Sequence, residues 1–116
     1  MIVKQVSVFV ENTVGRLADL TKILTDNNID LKASTIAETV DFGILRCIVE
    51  EPEKTVKILV ENGFSASISE VTGVSLEDKP GGLHKVLAVL AEAGIAVNYI
   101  YSTIKSAEGK AIIMMK

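Results

Sequence analysis

Residues 77–102 read EDKPGGLHKVLAVLAEAGIAVNYIYS, and residues 11–36 read ENTVGRLADLTKILTDNNIDLKASTI. With Gly81 set over Gly15, an offset of 66 residues, the two stretches align without a gap. Glu77 meets Glu11, Leu83 meets Leu17, Leu90 meets Leu24 and Ile95 meets Ile29. Conservative pairs fall between them: Asp78/Asn12, Val86/Leu20, Val89/Ile23 and Val97/Leu31. Carried outward, the same register runs from Val8/Val74 to Glu50/Lys116 and sets Gly43 against Gly109 and Cys47 against Ile113. Apolar positions and glycines that coincide over so long a span mark two copies of one supersecondary unit.

Each copy reads strand, loop, helix, strand, strand. In copy one, residues 2–10 alternate and are rich in β-branched side chains, which predicts a strand. Leu17, Leu20, Ile23 and Leu24 recur at helical spacing up to a stop at Asn28. Strands follow over 29–38 and 43–50, around a turn at Asp41-Phe42-Gly43. In copy two, 71–77 is a strand and Asp78–Gly82 a loop. Leu83, Val86, Leu87 and Leu90 lie on one helical face that Gly94 closes. Strands over 95–104 and 110–116 flank a turn at Ser106–Gly109. Copy one alone continues, into a helix that opens at Pro52 and ends at Gly63 and a strand over 64–70.

The expected fold class is therefore α+β. It is a ferredoxin-like βαββαβ unit with an antiparallel sheet in the order 2-3-1-4, repeated in tandem with an incomplete second copy, βαββ. The units are expected at 1–70 and 71–116. Only Gly73 interrupts the apolar run across that boundary, which predicts one long, bent strand shared by both. Copy two lacks a second helix and a fourth strand. Either the sequence is a truncated piece, or half a sheet face lacks its helical cover; both predict self-association as a homodimer or larger.

Composition narrows the function classes. The chain has 116 residues, 48% of them hydrophobic and 23% charged, as globular proteins do. With 4% aromatics and no Trp, the core must be aliphatic. A net charge of −3 argues against gripping a phosphate backbone, so no nucleic acid is expected as partner. Cys47 and His84 are each the single residue of their type, which leaves no disulfide and no His- or Cys-rich metal site. No signal peptide or membrane-length apolar run occurs, so a cytoplasmic protein with no membrane partner is expected. No HExxH, GxSxG or P-loop pattern occurs, no base–nucleophile set can be assembled, and no cofactor or enzymatic activity is expected.

The loops that open the two helices carry the chemistry. A helix N-terminus presents unpaired N–H groups and a partial positive charge, a seat for a carboxylate. Glycines there keep side chains out of a ligand's way. Asn12 and Asp78 can receive an amino group or cap the helix themselves. A Pro-Gly-Gly loop is also a tight turn whether or not anything binds. Arg16, a cation in a first helical turn, needs an anion, which Glu11, Asp19 or a ligand would supply. Tyr99 and Tyr101 share a strand face, as a ligand wall or as packing.

Glu77–Leu83, followed by HKVLAVLAEAGIAVNYIYS, resembles the opening of an ACT domain, and Glu11–Leu17, followed by ADLTKILTDNNIDL, resembles it more loosely. Copy one has Val14 where Pro is usual and Arg16 where copy two has Gly82. ACT domains are ferredoxin-like regulatory modules that commonly bind amino acids between two modules, with this loop on one side and strand 2 on the other. The resemblance implies a stand-alone tandem-ACT sensor: a free amino acid as ligand, and a regulated enzyme or transporter as listener. It implicates Asn12, Val14, Gly15, Arg16, Leu17, Asp78, Pro80, Gly81, Gly82 and Leu83, with Asn98 and Tyr99 on strand 2. A ligand-free interaction or assembly module is the alternative.

Overall fold

A computed structural model describes residues 1–103 and 108–116. The elements are β1 (Ile2–Glu11), α1 (Arg16–Asp26), β2 (Ala33–Glu38), β3 (Phe42–Ile48), α2 (Pro52–Glu61), β4 (Ser65–Glu77), α3 (Gly82–Glu92), β5 (Ile100–Ser102) and β6 (Lys110–Met115). The hydrogen-bonded order is β2-β3-β1-β4-β6-β5 in an antiparallel sheet. The chain divides into two compact units, Lys4–Glu70 and Met1–Val3 with Val71–Lys116.

In the unit Lys4–Glu70, alternation in β1 puts Val6, Val8 and Val10 on one face, and all three are buried. Leu45 and Cys47 of β3 join them through the pairs Val8↔Leu45 and Val6↔Cys47. Two helices close this face: α1 buries Leu20 and Leu24, and α2 buries Leu59. With Val49 and Phe64 these residues form one largely aliphatic cluster. Each fully buried Leu or Val contributes about 1.5–3 kcal/mol. The order β2-β3-β1-β4 is the split βαβ arrangement that the residue pattern predicts.

The helices end alike. Asn28, Gly63 and Gly94 take φ of 55°, 88° and 73°. The next N–H then turns back on the helix: Ile29 donates to the Leu24 carbonyl at 2.8 Å, Phe64 to Leu59 at 3.0 Å and Ile95 to Leu90 at 2.9 Å. This left-handed closure takes in carbonyls the helix leaves free. It also shortens two expected strands. The predicted strand over 29–38 begins at Ala33, and that over 95–104 is reduced to Ile100–Ser102. Ile29 and Ile95 are still closing the helices, so their N–H groups are not free to enter a ladder. Residue 104 and the first half of the expected turn at Ser106–Gly109 lie outside the described residues.

The sheet register corrects the ungapped repeat. Val8 faces Leu45, while its copy-two counterpart Val74 faces Ile113. Likewise Ile36 faces Leu45 and Ser102 faces Ile113. Up to β5 the offset is 66, but β6 matches β3 at an offset of 68. Copy two thus has a hairpin longer by two residues. Gly43 corresponds to Ala111, not Gly109, and Cys47 to Met115, not Ile113. Hairpin loops tolerate such insertions, and an even shift keeps every side chain on its face.

In the second unit, β4 pairs with β6 and β6 with β5. On the other side of β4, Gly73 and Met1 exchange hydrogen bonds: Gly73 N–H to Met1 O at 2.8 Å and Met1 N to Gly73 O at 3.0 Å. Residues 1–3 therefore border β4 where β4 itself borders β1 in copy one. A Cβ on Gly73 would sit 3.1 Å from Val3 Cγ2 and 3.4 Å from the Met1 side chain, so the bare position receives them. The predicted long strand through the boundary is present as the 13 residues of β4.

Candidate functional site: the loops before α1 and α3

Both loops fold by the same hydrogen bonds. In the first, Asn12 N–H donates to Asp41 O, Thr13 N–H to Glu11 O, and Arg16 N–H to Thr13 O. In the second, Asp78 N–H donates to Gly109 O, Lys79 N–H to Glu77 O, and Gly82 N–H to Lys79 O. Gly15 (φ 86°, ψ −12°) and Gly81 (φ 88°, ψ −10°) hold the same left-handed position at the two helix starts. That conformation suits glycine, because a Cβ there crowds the backbone. Glycine stands at the N-cap of both helices, so neither N-cap residue supplies a side-chain cap. The Asn12 amide instead donates to Thr39 O at 3.2 Å and Val40 O at 3.4 Å, tying the loop to the β2–β3 hairpin.

The first loop edges a cleft of about 230 Å³ lined by Val10, Glu11, Asn12, Thr13, Leu17, Ile36, Glu38 and Gly43. Val10, Gly43 and Glu38 stand side by side across β1, β3 and β2. Of the residues expected at this loop, Asn12 and Leu17 line the cleft, and Val14, Gly15 and Arg16 do not. Val14 is fully exposed. Arg16 turns away: its Nε pairs with Glu11, its Nη1 lies 3.9 Å from Asp19, and its guanidinium covers the Phe64 ring at 3.9 Å. The anion it needs is supplied within the chain. The Arg16 hydrogen bond holds the Glu11 carboxyl below the usual carboxylate range.

Ile36, Glu38 and Gly43 are absent from the sequence reading of the site. The topology carried the signal. β1 and β2 both pair antiparallel with β3, so β2 runs parallel to β1 and its last residues end beside the loop that follows β1.

The second loop is tighter. Gly82 is buried, and a Cβ on it would lie 2.1 Å from Glu77 O, closer than atoms approach. Asp78, Pro80 and Gly81 are exposed and Leu83 is half-buried. Lys79 pairs with Glu77 at 2.7 Å. That bond first, then the charges of Lys85 and Lys110, keep the Glu77 carboxyl low. Asn98 and Tyr99 lie at the other end of the sheet. Asn98 N–H donates to Lys116 O and Lys116 N–H to Tyr99 O, whereas the loop sits beside the pair Glu77↔Lys110. At about 3.3 Å per residue along β6, the two places are about 20 Å apart. The structure therefore does not bring them together within this unit.

His84 is exposed on α3. Cys47 is buried, and burial pushes its thiol up to about 12. Tyr101 is buried and stacks with Tyr99 at 6.4 Å between centroids. Among the described residues, no three His, Cys, Asp or Glu side chains gather as metal ligands, and no helix is long and apolar enough to cross a membrane.

Comparison with known proteins adds to this geometry. A family model described as an ACT domain pair matches residues 1–116. Among solved structures, protein BT0572 from Bacteroides thetaiotaomicron is similar at a TM-score of 0.91 and 42% identity, over 100% of this chain and 79% of that one. The regulatory subunit of aspartate kinase from Thermus thermophilus, in a ligand-free form, is similar at 0.72 and 14%, over 97% and 81%. The corresponding subunit from Thermus flavus gives 0.66 and 13%, over 97% and 80%. At such low identity the two kinase subunits share the fold. No curated protein matches the sequence.

Proposed function

The chain belongs to the family of ACT domain pairs, and from that premise we propose that it is a stand-alone regulatory module that senses a free amino acid at the loop before α1. The observation that carries this reading is the cleft beside that loop, with Asn12 and Leu17 on its wall. The Leu17 N–H, in the first turn of α1, donates to no backbone carbonyl among the described residues, and the helix N-terminus is electropositive. A ligand carboxylate has its seat there. The loop before α3 (Asp78, Pro80, Gly81, Gly82, Leu83) repeats the backbone geometry and is the second candidate. Asn98 and Tyr99 join a site only from another module.

Sensing works by differential affinity: a ligand that prefers one arrangement of modules shifts the population, and a regulated enzyme or transporter reads the shift. The likeness in fold to aspartate kinase regulatory subunits supports a regulatory role without catalysis. A cytoplasmic homodimer is part of the proposal. The test is thermal melting against each proteinogenic amino acid at several millimolar, with molar mass recorded by light scattering. A ligand at about 100 times its Kd stabilises by roughly 2.7 kcal/mol, a shift of several degrees. A selective shift supports the sensor. No shift from any amino acid overturns it.

One observation favours a ligand-free assembly module instead. The stripe Leu83, Val86, Leu87 and Leu90 on α3 stays only half-buried, and Val89 is 66% exposed. A dimer of constant mass that no amino acid alters is the outcome this second reading expects.

A further inference from the structure

Gly43 is glycine without a backbone reason. Its φ is not positive, and an added Cβ would meet Ala37 O at 3.4 Å and Ile36 Cγ2 at 3.8 Å, ordinary van der Waals contacts. What its bareness does is leave a notch between Val10 and Glu38, which flank it in one row of the sheet. That notch is the floor of the cleft beside the first loop. By sheet register, copy two has Ala111 at this place, with a methyl group over its floor. At the place of Glu38 its sequence has Ile104, outside the described residues.

The polar groups of the cleft are one-sided. Among the described residues, the charged ones that line it are Glu11 and Glu38, and no cation does. Glu11 is already paired with Arg16, while Glu38 has no ion pair among the described residues. The Asn12 amide nitrogen is committed to two carbonyls. Apart from Thr13, the rest of the wall is apolar: Val10, Ile36 and Leu17, the last two 43% and 42% exposed. A ligand that fits has one ammonium for Glu38, a carboxylate for the helix start and an apolar remainder for Leu17 and Ile36. An acidic side chain finds no cation. A second ammonium, as in a basic side chain, finds only the Glu11 carboxylate that Arg16 already neutralises.

Resting on the sensor reading above, we propose that the copy-one cleft selects a neutral aliphatic amino acid, with Glu38 receiving its α-ammonium and Gly43 making room for its side chain. The test is calorimetric titration of the full chain with L-leucine, L-valine, L-lysine, L-aspartate and 4-methylpentanoate, which is leucine without its amino group. Leucine or valine is expected to bind at least tenfold tighter than lysine or aspartate. Glu38→Gln is expected to weaken leucine about tenfold or more, as loss of a charge-assisted hydrogen bond does, and to leave 4-methylpentanoate unchanged. Gly43→Ala is expected to weaken leucine while the melting temperature holds or rises, because alanine restricts the unfolded chain more than glycine. Preference for lysine or aspartate, or unchanged leucine affinity in both variants, overturns this inference and leaves the sensor standing. No binding of any amino acid by wild type overturns both.

Discussion

Gly82 and Gly81 are adjacent and are glycines for different reasons. At Gly82 the obstacle is an atom: a Cβ would collide with Glu77 O. Gly82→Ala is expected to lower unfolding stability by about 1–3 kcal/mol, as overpacking does. At Gly81 an added Cβ would meet no described atom within 4 Å beyond its chain neighbours, and the obstacle is φ 88°. Gly81→Ala is expected to cost about 1–2 kcal/mol from the left-handed backbone alone. Denaturant midpoints of the two variants check both values, and equal losses at Gly15→Ala and Gly81→Ala are expected from their matching torsions.

Charge at the first loop makes a pH prediction. The Arg16 hydrogen bond depresses the Glu11 carboxyl in the folded chain. The stability it contributes is therefore fully present above the unfolded glutamate value, about 4.3, and is lost as pH falls through the lower folded value. Melting temperature should fall with acid through this range, and Arg16→Met should flatten part of that fall. Lys4 has the opposite sign. Its hydrogen bond with Glu53 raises it, so that contribution persists below the unfolded lysine value and is lost as pH rises through the raised one. Both pairs are exposed, so each slope is shallow.

At the scale of elements, the two kinds of helix differ in what holds them. α1 and α2 bury Leu20, Leu24 and Leu59. Leu20→Ala or Leu59→Ala is expected to cost about 2–5 kcal/mol, read from chemical denaturation. On α3 the buried residue is Gly82, and its leucines stay half-buried. Leu87→Ala should cost clearly less in a monomeric state. The helix periodicities were legible because burial on one face imposes a 3.6-residue recurrence. Strand ends were not, because a left-handed closure consumes N–H groups that the alternation pattern assigns to a ladder. Pattern shows which side chains want burial, not which backbone groups are already bonded.

At the scale of the whole chain, the half-buried stripe of α3 and exposed Val89, Ile95 and Ile100 set an expectation of self-association. Light scattering at tens of micromolar should give a mass above that of one chain, and Val89→Glu should lower it. A monodisperse wild-type monomer would refute this. Cys47 gives a check on compactness: with its thiol buried and held protonated up to about 12, it should resist thiol reagents at pH 8 until the chain is unfolded.

The sequence by itself determined the repeat, the element types, the α+β class and the two loop–helix openings with their glycines. Those features follow from local rules, the period of burial and the steric freedom of glycine, which act within a few residues. Only the tertiary structure decided the rest. It placed residues 1–3 beside Gly73, turned Arg16 onto Phe64 and Glu11, and moved β6 to an offset of 68. It also joined Val10, Gly43 and Glu38 in one row beneath the first loop. Each of these depends on which strands are neighbours and in what register. Strand register is set by contacts between distant parts of the chain, and no single stretch of sequence encodes it.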